Sequence, residues 1–253
     1  KRIYNKSQKT FLGYERKRGM ITEFVDFLVN KKEGSFLVNT IKNIPEIKYV
    51  ITLDCDTLLP MDMAQKLIGT IEHPLNQPVV NGKIVESGYG LIQPKIGIAM
   101  DSSTASFFSR VFAGNGGIDV YSTAESNIYQ DVFEEAIFTG KGIFNVKLFN
   151  QLLKNEIPEN TVLSHDLLEG SYLRCGLASD IELIDGFPTK FNSYMLRLHR
   201  WTRGDWQILK WIFNKDLNLL SRYKILESHD YIISRWSTQK GDPQPGEPGF
   251  PSQ

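Results

Sequence analysis

The sequence predicts a single α/β domain with a mixed, mainly parallel sheet flanked by helices. Three observations carry this. Short apolar runs rich in β-branched residues, led by Tyr49–Thr52, have the length of strands. Between them lie segments such as Met20–Leu28, whose apolar residues fall near the i, i+3, i+4, i+7 spacing of an amphipathic helix. The bulk is ordinary for a globular chain: 253 residues, 41% hydrophobic and 23% charged, enough to bury a substantial core.

Composition also excludes some functions. Lys plus Arg and Asp plus Glu number 29 each, so a formal net charge of zero argues against a nucleic-acid binder driven by overall charge. Cys55 and Cys175 lie far apart and give neither a disulfide framework nor a zinc spacing, which suits a reducing, cytosolic setting. No apolar run approaches the roughly 18 residues of a membrane span, and no signal peptide opens the chain. The expectation is a soluble domain.

The stretch Tyr49-Val50-Ile51-Thr52-Leu53-Asp54-Cys55-Asp56 organises the rest. It reads as a buried parallel strand whose C-terminal end opens onto a site. In an extended segment Asp54 and Asp56, at i and i+2, would share a face, with Cys55 turned to the packed side. Two such carboxylates suit a divalent cation that also holds a diphosphate. The alternative is a loop in which Asp serves as a turn or cap residue.

Ahead of this strand, Lys1, Arg2, Lys6 and Lys9 form a basic run that reads as a solvated face. Glu15-Arg16-Lys17-Arg18-Gly19 leads into the Met20–Asn30 helix with its charges opposed to the helix dipole, an arrangement that suits anion binding. After it, Pro60 opens a helix over Met61–Glu72. Val79-Val80 and Gly90–Ile96 suggest further strands, the latter an edge or a strand end because of Pro94. Thr104–Phe112 is expected to be helical, with Phe107, Phe108, Val111 and Phe112 as a core-facing side. Ala113–Gly117 lacks the lysine and spacing of a phosphate-binding P-loop and reads as a turn. Ile128–Glu135 reads as helical. Gly140-Lys141-Gly142 is either a hairpin turn or a place where backbone approaches a ligand closely.

A short helix over Asn145–Lys154 precedes Ser164-His165-Asp166, which opens a helix over Leu167–Cys175. Ser164 is the expected N-cap, placing Asp166 in the first turn; the other reading is an acidic residue that simply complements the dipole. Leu177–Ile184 alternates as a strand. The helical block Arg197–Gln207 is dense in Arg and Trp; Arg offers a fork for phosphate and Trp a flat face for a sugar ring. The other reading is an amphipathic helix lying on another domain or a membrane surface. From Gly241 the tail, rich in Pro and Gly, is expected to be disordered.

A strand-end DxD, an Asp opening a later helix and an Arg-Trp block stand in one order. That order resembles inverting, processive family-2-type glycosyltransferases, where the series is DxD, an Asp in a TED-like motif and QxxRW. Longer strings are similar to the glycosyltransferase domain of cyclic β-1,2-glucan synthases (family 84). These include Glu15–Gly19, Asp54–Thr57, Glu72–Asn76, Gly88–Pro94, Tyr129–Asp131, Phe138–Ile143, Pro158–Thr161, Ser164–Gly170, His199–Trp201 and Arg203–Gln207. The resemblance covers roughly residues 10–225. Arg197 stands where the motif has Gln, and the first strands of the family's domain are absent.

The resemblance implies a GT-A-like nucleotide-sugar-binding domain over residues 1–225, lacking its N-terminal strands, with a divergent, disordered tail over 226–253. It implies glucosyl transfer from UDP-glucose to a growing β-1,2-glucan, with Asp54 and Asp56 holding Mg²⁺ or Mn²⁺ and Asp166 as the general base. Arg200 would meet phosphate charge and Trp201 the acceptor sugar. Lys17, Lys141 and Arg203 are further candidates for donor contact. The expected partners are the donor and the glucan acceptor, with no nucleic acid. The parent protein is expected to be bacterial, with membrane helices and further glucan-processing domains, this domain lying at the cytoplasmic face of the inner membrane.

Overall fold

The computed structural model describes residues 2–5, 10–13, 15–31, 36, 38–40, 43–113 and 128–228. The turn expected after Ala113, part of the basic run at 1–9, and the tail from 229 lie outside them. In chain order, β1 (Arg2–Asn5) and β2 (Thr10–Gly13) form an antiparallel pair ahead of α1 (Arg16–Asn30). Then come β3 (Tyr49–Thr52), α2 (Met63–Glu72), the antiparallel pair β4 (Val79–Asn81) and β5 (Ile84–Ser87), and β6 (Leu91–Ile98). Short helices α3 (Met100–Thr104), α4 (Phe107–Phe112) and α5 (Ile128–Phe133) lead to β7 (Gly142–Asn145) and α6 (Val146–Leu153). The chain continues through α7 (Asp166–Leu173), β8 (Cys175–Asp185) and α8 (Phe191–Ile208), which runs into a 3-10 turn at Leu209–Phe213. A last helix, α9, covers residues 219–228 and so carries past position 225.

The central sheet has the order β3-β7-β6-β8. β7 is antiparallel to both neighbours, and β6 is parallel to β8. β3, β6 and β8 therefore share a direction, but only one adjacent pair is parallel. The sheet is mixed, as expected, and less parallel than expected. β3 itself is a half-buried strand at one end of the sheet order, antiparallel to its neighbour, rather than a buried parallel strand. Pro94 fits the expected edge: β6 pairs with β7 only through Leu91 and Ile92, so at Pro94 only β8 lies beside it among the described strands, and the register with β8 shifts between Pro94 and Lys95.

Alternation along the strands builds two cores. Leu91 and Phe144 turn to one face, where they meet Val25 of α1, Phe149 of α6 and Leu168 and Tyr172 of α7. Ile92 and Ile143 turn to the other and meet Leu67 and Ile71 of α2. The result is a helix–sheet–helix sandwich. The side of α4 expected to face the core mostly does not: Phe107, Val111 and Phe112 are exposed, and Phe108 alone of that set stacks among Phe187, Phe191 and Tyr194. Among the described residues no helix is long and apolar enough to cross a membrane.

Candidate functional site

Because β3, β6 and β8 point the same way, their C-terminal ends meet at one edge, together with the start of the reversed strand β7. In open α/β sheets ligands are bound at that edge. A cavity of about 660 Å³ opens there. Asp54, Asp56, Lys17, Lys141, Asp166, Arg200 and Trp201 all line it. Arg203 does not line it; it is exposed, one turn further along α8.

The two acidic residues after β3 are not extended. Thr57 N donates to Asp54 O at 3.1 Å, and Asp54 N to Thr57 Oγ1 at 3.3 Å, closing a tight turn. Cys55 at the tip is exposed rather than packed. The turn is tied to the far strand: Leu58 and Ile184 exchange backbone hydrogen bonds of 2.7 and 3.1 Å, and Thr57 Oγ1 donates to Asp185 Oδ1 at 2.6 Å. Asp185, at the end of β8, thereby joins the cavity.

Two lysines bind these carboxylates. Lys17, at the start of α1, reaches Asp54 Oδ1 at 2.6 Å and donates to Gly140 O at 2.8 Å. Lys141 is buried, pairs with Asp185 and lies 3.3 Å from Asp54 Oδ2. Burial would raise the Asp54 carboxyl, but Lys17 and Lys141 outweigh it and hold the group below its ordinary value. Asp56 is exposed and has no hydrogen-bond or ion-pair partner among the described residues, so its carboxylate is available.

The segment before β7 is no hairpin. Buried Gln93 on β6 accepts through Oε1 from Thr139 N at 2.6 Å and Thr139 Oγ1 at 3.0 Å, which fixes the backbone ahead of Gly140. Gly140 has φ +93°, and a Cβ there would sit 2.9 Å from Asp166 Oδ1. The glycine is what lets the loop close over that carboxylate. Asp166 is the first residue of α7 and half-buried. His165, not Ser164, occupies the cap position, and it makes no side-chain capping bond.

α8 presents Ser193, Tyr194, Arg197, Arg200 and Trp201 to the cavity, residues three, four and seven apart on one helical face. Arg197 lies 4.8 Å over the Trp201 ring, so a cation already covers one aromatic face. Further along, a Cβ on Gly204 would come within 2.5 Å of Ser164 Cβ, and Gln207 Oε1 accepts from Leu163 N at 2.7 Å. These contacts press α8 against the segment that delivers Asp166. Arg16 also lines the cavity. Burial first, then Arg200 and Arg203, lower its guanidinium from the ordinary value, which places three guanidiniums within one electrostatic neighbourhood. Arg203 thus bears on the site through charge. Arg18, the third basic residue at that helix start, is structural: buried, it pairs with Glu15 and donates to Ile157 O at 2.9 Å.

Sequence reasoning missed Asp185, and it placed Arg16 and Arg197 in stretches suited to anions without naming either as a site residue. Asp185 ends an apolar strand much as Asp54 follows one, and that likeness was the available signal. Arg197 lies three residues before Arg200, the spacing that puts both on one face.

The donor set at the strand ends is all carboxylate oxygen, the ligand type of Mg²⁺ and Mn²⁺ rather than of soft metals. One or two carboxylates with substrate phosphates are enough for Mg²⁺. Asp56, unpartnered and facing the cavity, fits such an ion, with Asp54 beside it.

No protein-family model matches the chain. Over 234 residues, 90% of its length, it is 46% identical to the cyclic beta-(1,2)-glucan synthase NdvB of Rhizobium meliloti (strain 1021). It spans 8% of that curated relative's length. The resemblance read from the motifs is therefore borne out: this chain is related, across nine tenths of its residues, to a segment of a cyclic β-(1,2)-glucan synthase.

Proposed function

We propose that the cavity at the carboxyl edge of the sheet is the active site of an inverting glucosyltransferase. It moves glucose from UDP-glucose to a hydroxyl of a growing β-1,2-glucan, with residues 1–225 as the transferase domain. The observation that carries this reading is the convergence of Asp54, Asp56, Lys17, Lys141, Asp166, Arg200 and Trp201, far apart in sequence, on one cavity. The relative's name supports glucan synthesis in general.

In this reading the acceptor oxygen bonds to the anomeric carbon as the bond from that carbon to the phosphate oxygen breaks. UDP departs with the electron pair. Asp166, at the first turn of α7 where the Gly140 backbone closes over it, takes the acceptor proton. Arg200 and Arg16 meet the charge that collects on the leaving diphosphate, in a cavity where such pairing is stronger than in water. Lys17 and Lys141 hold Asp54 and Asp185 in place. Trp201, with Arg197 over its ring, lines the cavity as the surface for the acceptor sugar. Asp54 and Asp56 would hold Mg²⁺ or Mn²⁺, which when bound offsets the negative charge of the leaving diphosphate.

Glucosyl transfer by the full-length protein carrying Asp166→Asn tests the base. Activity should fall by about a hundredfold or more, and wild-type transfer would remove the assignment. Calorimetry with UDP and Mn²⁺ tests the donor site apart from turnover. The ion should strengthen binding, and Asp54→Ala should abolish that gain; an unchanged gain in that variant sinks the metal role.

A further inference from the structure

Beside Asp166 lies a buried charge pair to which the mechanism above assigns no role. His165 is 7% exposed and Glu169 3%. They stand four residues apart at the start of α7, the spacing that brings side chains together on a helix. His165 Nδ1 lies 2.9 Å from Glu169 Oε1 and 3.6 Å from Asp166 Oδ1, and one ligand atom from each of the three residues falls within 4.8 Å of the others. The nitrogen sits off the line of an ordinary hydrogen bond to either carboxylate and has no hydrogen-bond partner. It is placed between two carboxylates, as a shared cation would be.

The energetics point the same way. A carboxylate as buried as Glu169 is costly unless paired, and a second carboxylate close by raises the cost of ionising either. A base in Asp166's position must be ionised. One positive charge between the two meets both demands. Burial opposes charging the imidazole, but Glu169, then Asp166, outweigh it and push its pKa up to about 9. Among charged groups on other elements, Arg18 of α1 acts on it and opposes protonation. The nearby contacts from α8, Gly204 and Gln207, carry no charge.

We propose that His165 is a positioning residue for Asp166: its ring, anchored by Glu169, holds the Asp166 carboxylate turned into the cavity. The inference rests on the reading of Asp166 as the base. Mobility of Asp166 is then limited from two sides, by the Gly140 backbone and by the imidazolium.

Two measurements test it. Titration of the His165 imidazole by NMR should give a pKa well above the ordinary 6.5, and Glu169→Gln should lower it by about one unit or more. An imidazole that is neutral at pH 7, whether free or metal-bound, or one indifferent to Glu169→Gln, overturns the proposal. In the full-length protein, His165→Gln should reduce kcat roughly tenfold or more at little change in donor KM. It should also move the acid limb of the pH profile upward, and His165→Gln/Glu169→Gln should bring that limb back. A purely structural histidine would lower activity equally at every pH. If Asp166→Asn is inactive while His165→Gln keeps the wild-type kcat and acid limb, the positioning role fails and the base assignment stands. If Asp166→Asn is active, the base assignment falls and the positioning role with it.

Discussion

The buried pair Glu135–Lys224 gives the sharpest test of how the last helix is held. Lys224 on α9 is 1% exposed and Glu135 3%. The ammonium reaches Glu135 Oε1 at 2.8 Å and the carbonyl oxygens of Glu135 and Ala136 at 3.2 Å each, so all three of its hydrogens have acceptors. Burial pulls this lysine below its ordinary pKa while Glu135 pulls the other way, so the charge is tolerated only because it is paired. Glu135→Ala leaves a buried ammonium without its counter-charge, and the cost should be about 3–5 kcal/mol. Lys224→Met keeps much of the volume. It strands a carboxylate that still has Arg174 Nε at 3.7 Å, so it should cost less. Combining Lys224→Met with Glu135→Gln removes both charges and should cost about 1–2 kcal/mol, from the two carbonyls left without a donor. Urea unfolding followed by tryptophan emission reads this, since Trp211 is buried in the same core as Ile225 of α9. A Glu135→Ala cost below about 1 kcal/mol, or a double variant that costs as much as Glu135→Ala alone, would refute the pairing argument.

Two further outcomes follow from the site. Gly140→Ala forces an L side chain to φ +93° and a methyl to within 2.9 Å of Asp166 Oδ1, so it should destabilise the chain by roughly 1–3 kcal/mol and cut transfer more than it cuts UDP binding. Calorimetry beside a turnover assay separates the two, and an alanine variant with full transfer would contradict the close approach. His165 makes stability depend on pH. Its folded pKa, about 9, lies above the ordinary 6.5, so its contribution is full below about pH 6.5 and is lost as pH rises through about 9. Urea titrations of wild type and His165→Gln should differ by on the order of 3 kcal/mol at pH 6 and converge above pH 9. A constant difference would mean that the imidazole is not charged in the fold.

Much of the fold could be read from local pattern, because strand and helix periods depend on residues a few positions apart. The starts of α1 and α7, the strand over Tyr49–Thr52 and the helix over Val146–Leu153 all fall near their expected places. What local pattern could not convey was pairing across the sheet. Pro94 suggested an edge, and β6 is one there, but nothing around it says that Leu91 and Ile92, just before it, pair with β7. Asp54 and Asp56 were expected in extended backbone. Thr57 instead closes a turn, and the reason lies 128 residues away in the hydrogen bond to Asp185. For the site, residue types in order identified seven lining side chains. The roles of Gly204 and Gln207 in pressing α8 onto the segment before Asp166 needed coordinates, since nothing in their own surroundings names Ser164 or Leu163. The His165–Glu169 pair was legible in principle from four-residue spacing on a helix.

The charges of the cavity bear on why a metal should be needed at all. Arg16, Lys17, Lys141, Arg197 and Arg200 face Asp54, Asp56, Asp166 and Asp185, with His165 beside Asp166, so the wall is mildly positive before any ligand arrives. Lys17 and Lys141 are already engaged with Asp54 and Asp185. A diphosphate bringing several negative charges would therefore find the arginines attractive and the unpartnered Asp56 repulsive. A divalent cation between Asp56 and the diphosphate turns that repulsion into coordination. If this is the metal's part in binding, Asp56→Asn should have two opposite effects. UDP should bind the variant more tightly than wild type when both are metal-free, because a like charge is gone. Adding Mn²⁺ should then strengthen binding to wild type and do little for the variant. Equal metal-free affinities would show that the ion does not act by relieving Asp56, and the carboxylate would need another role.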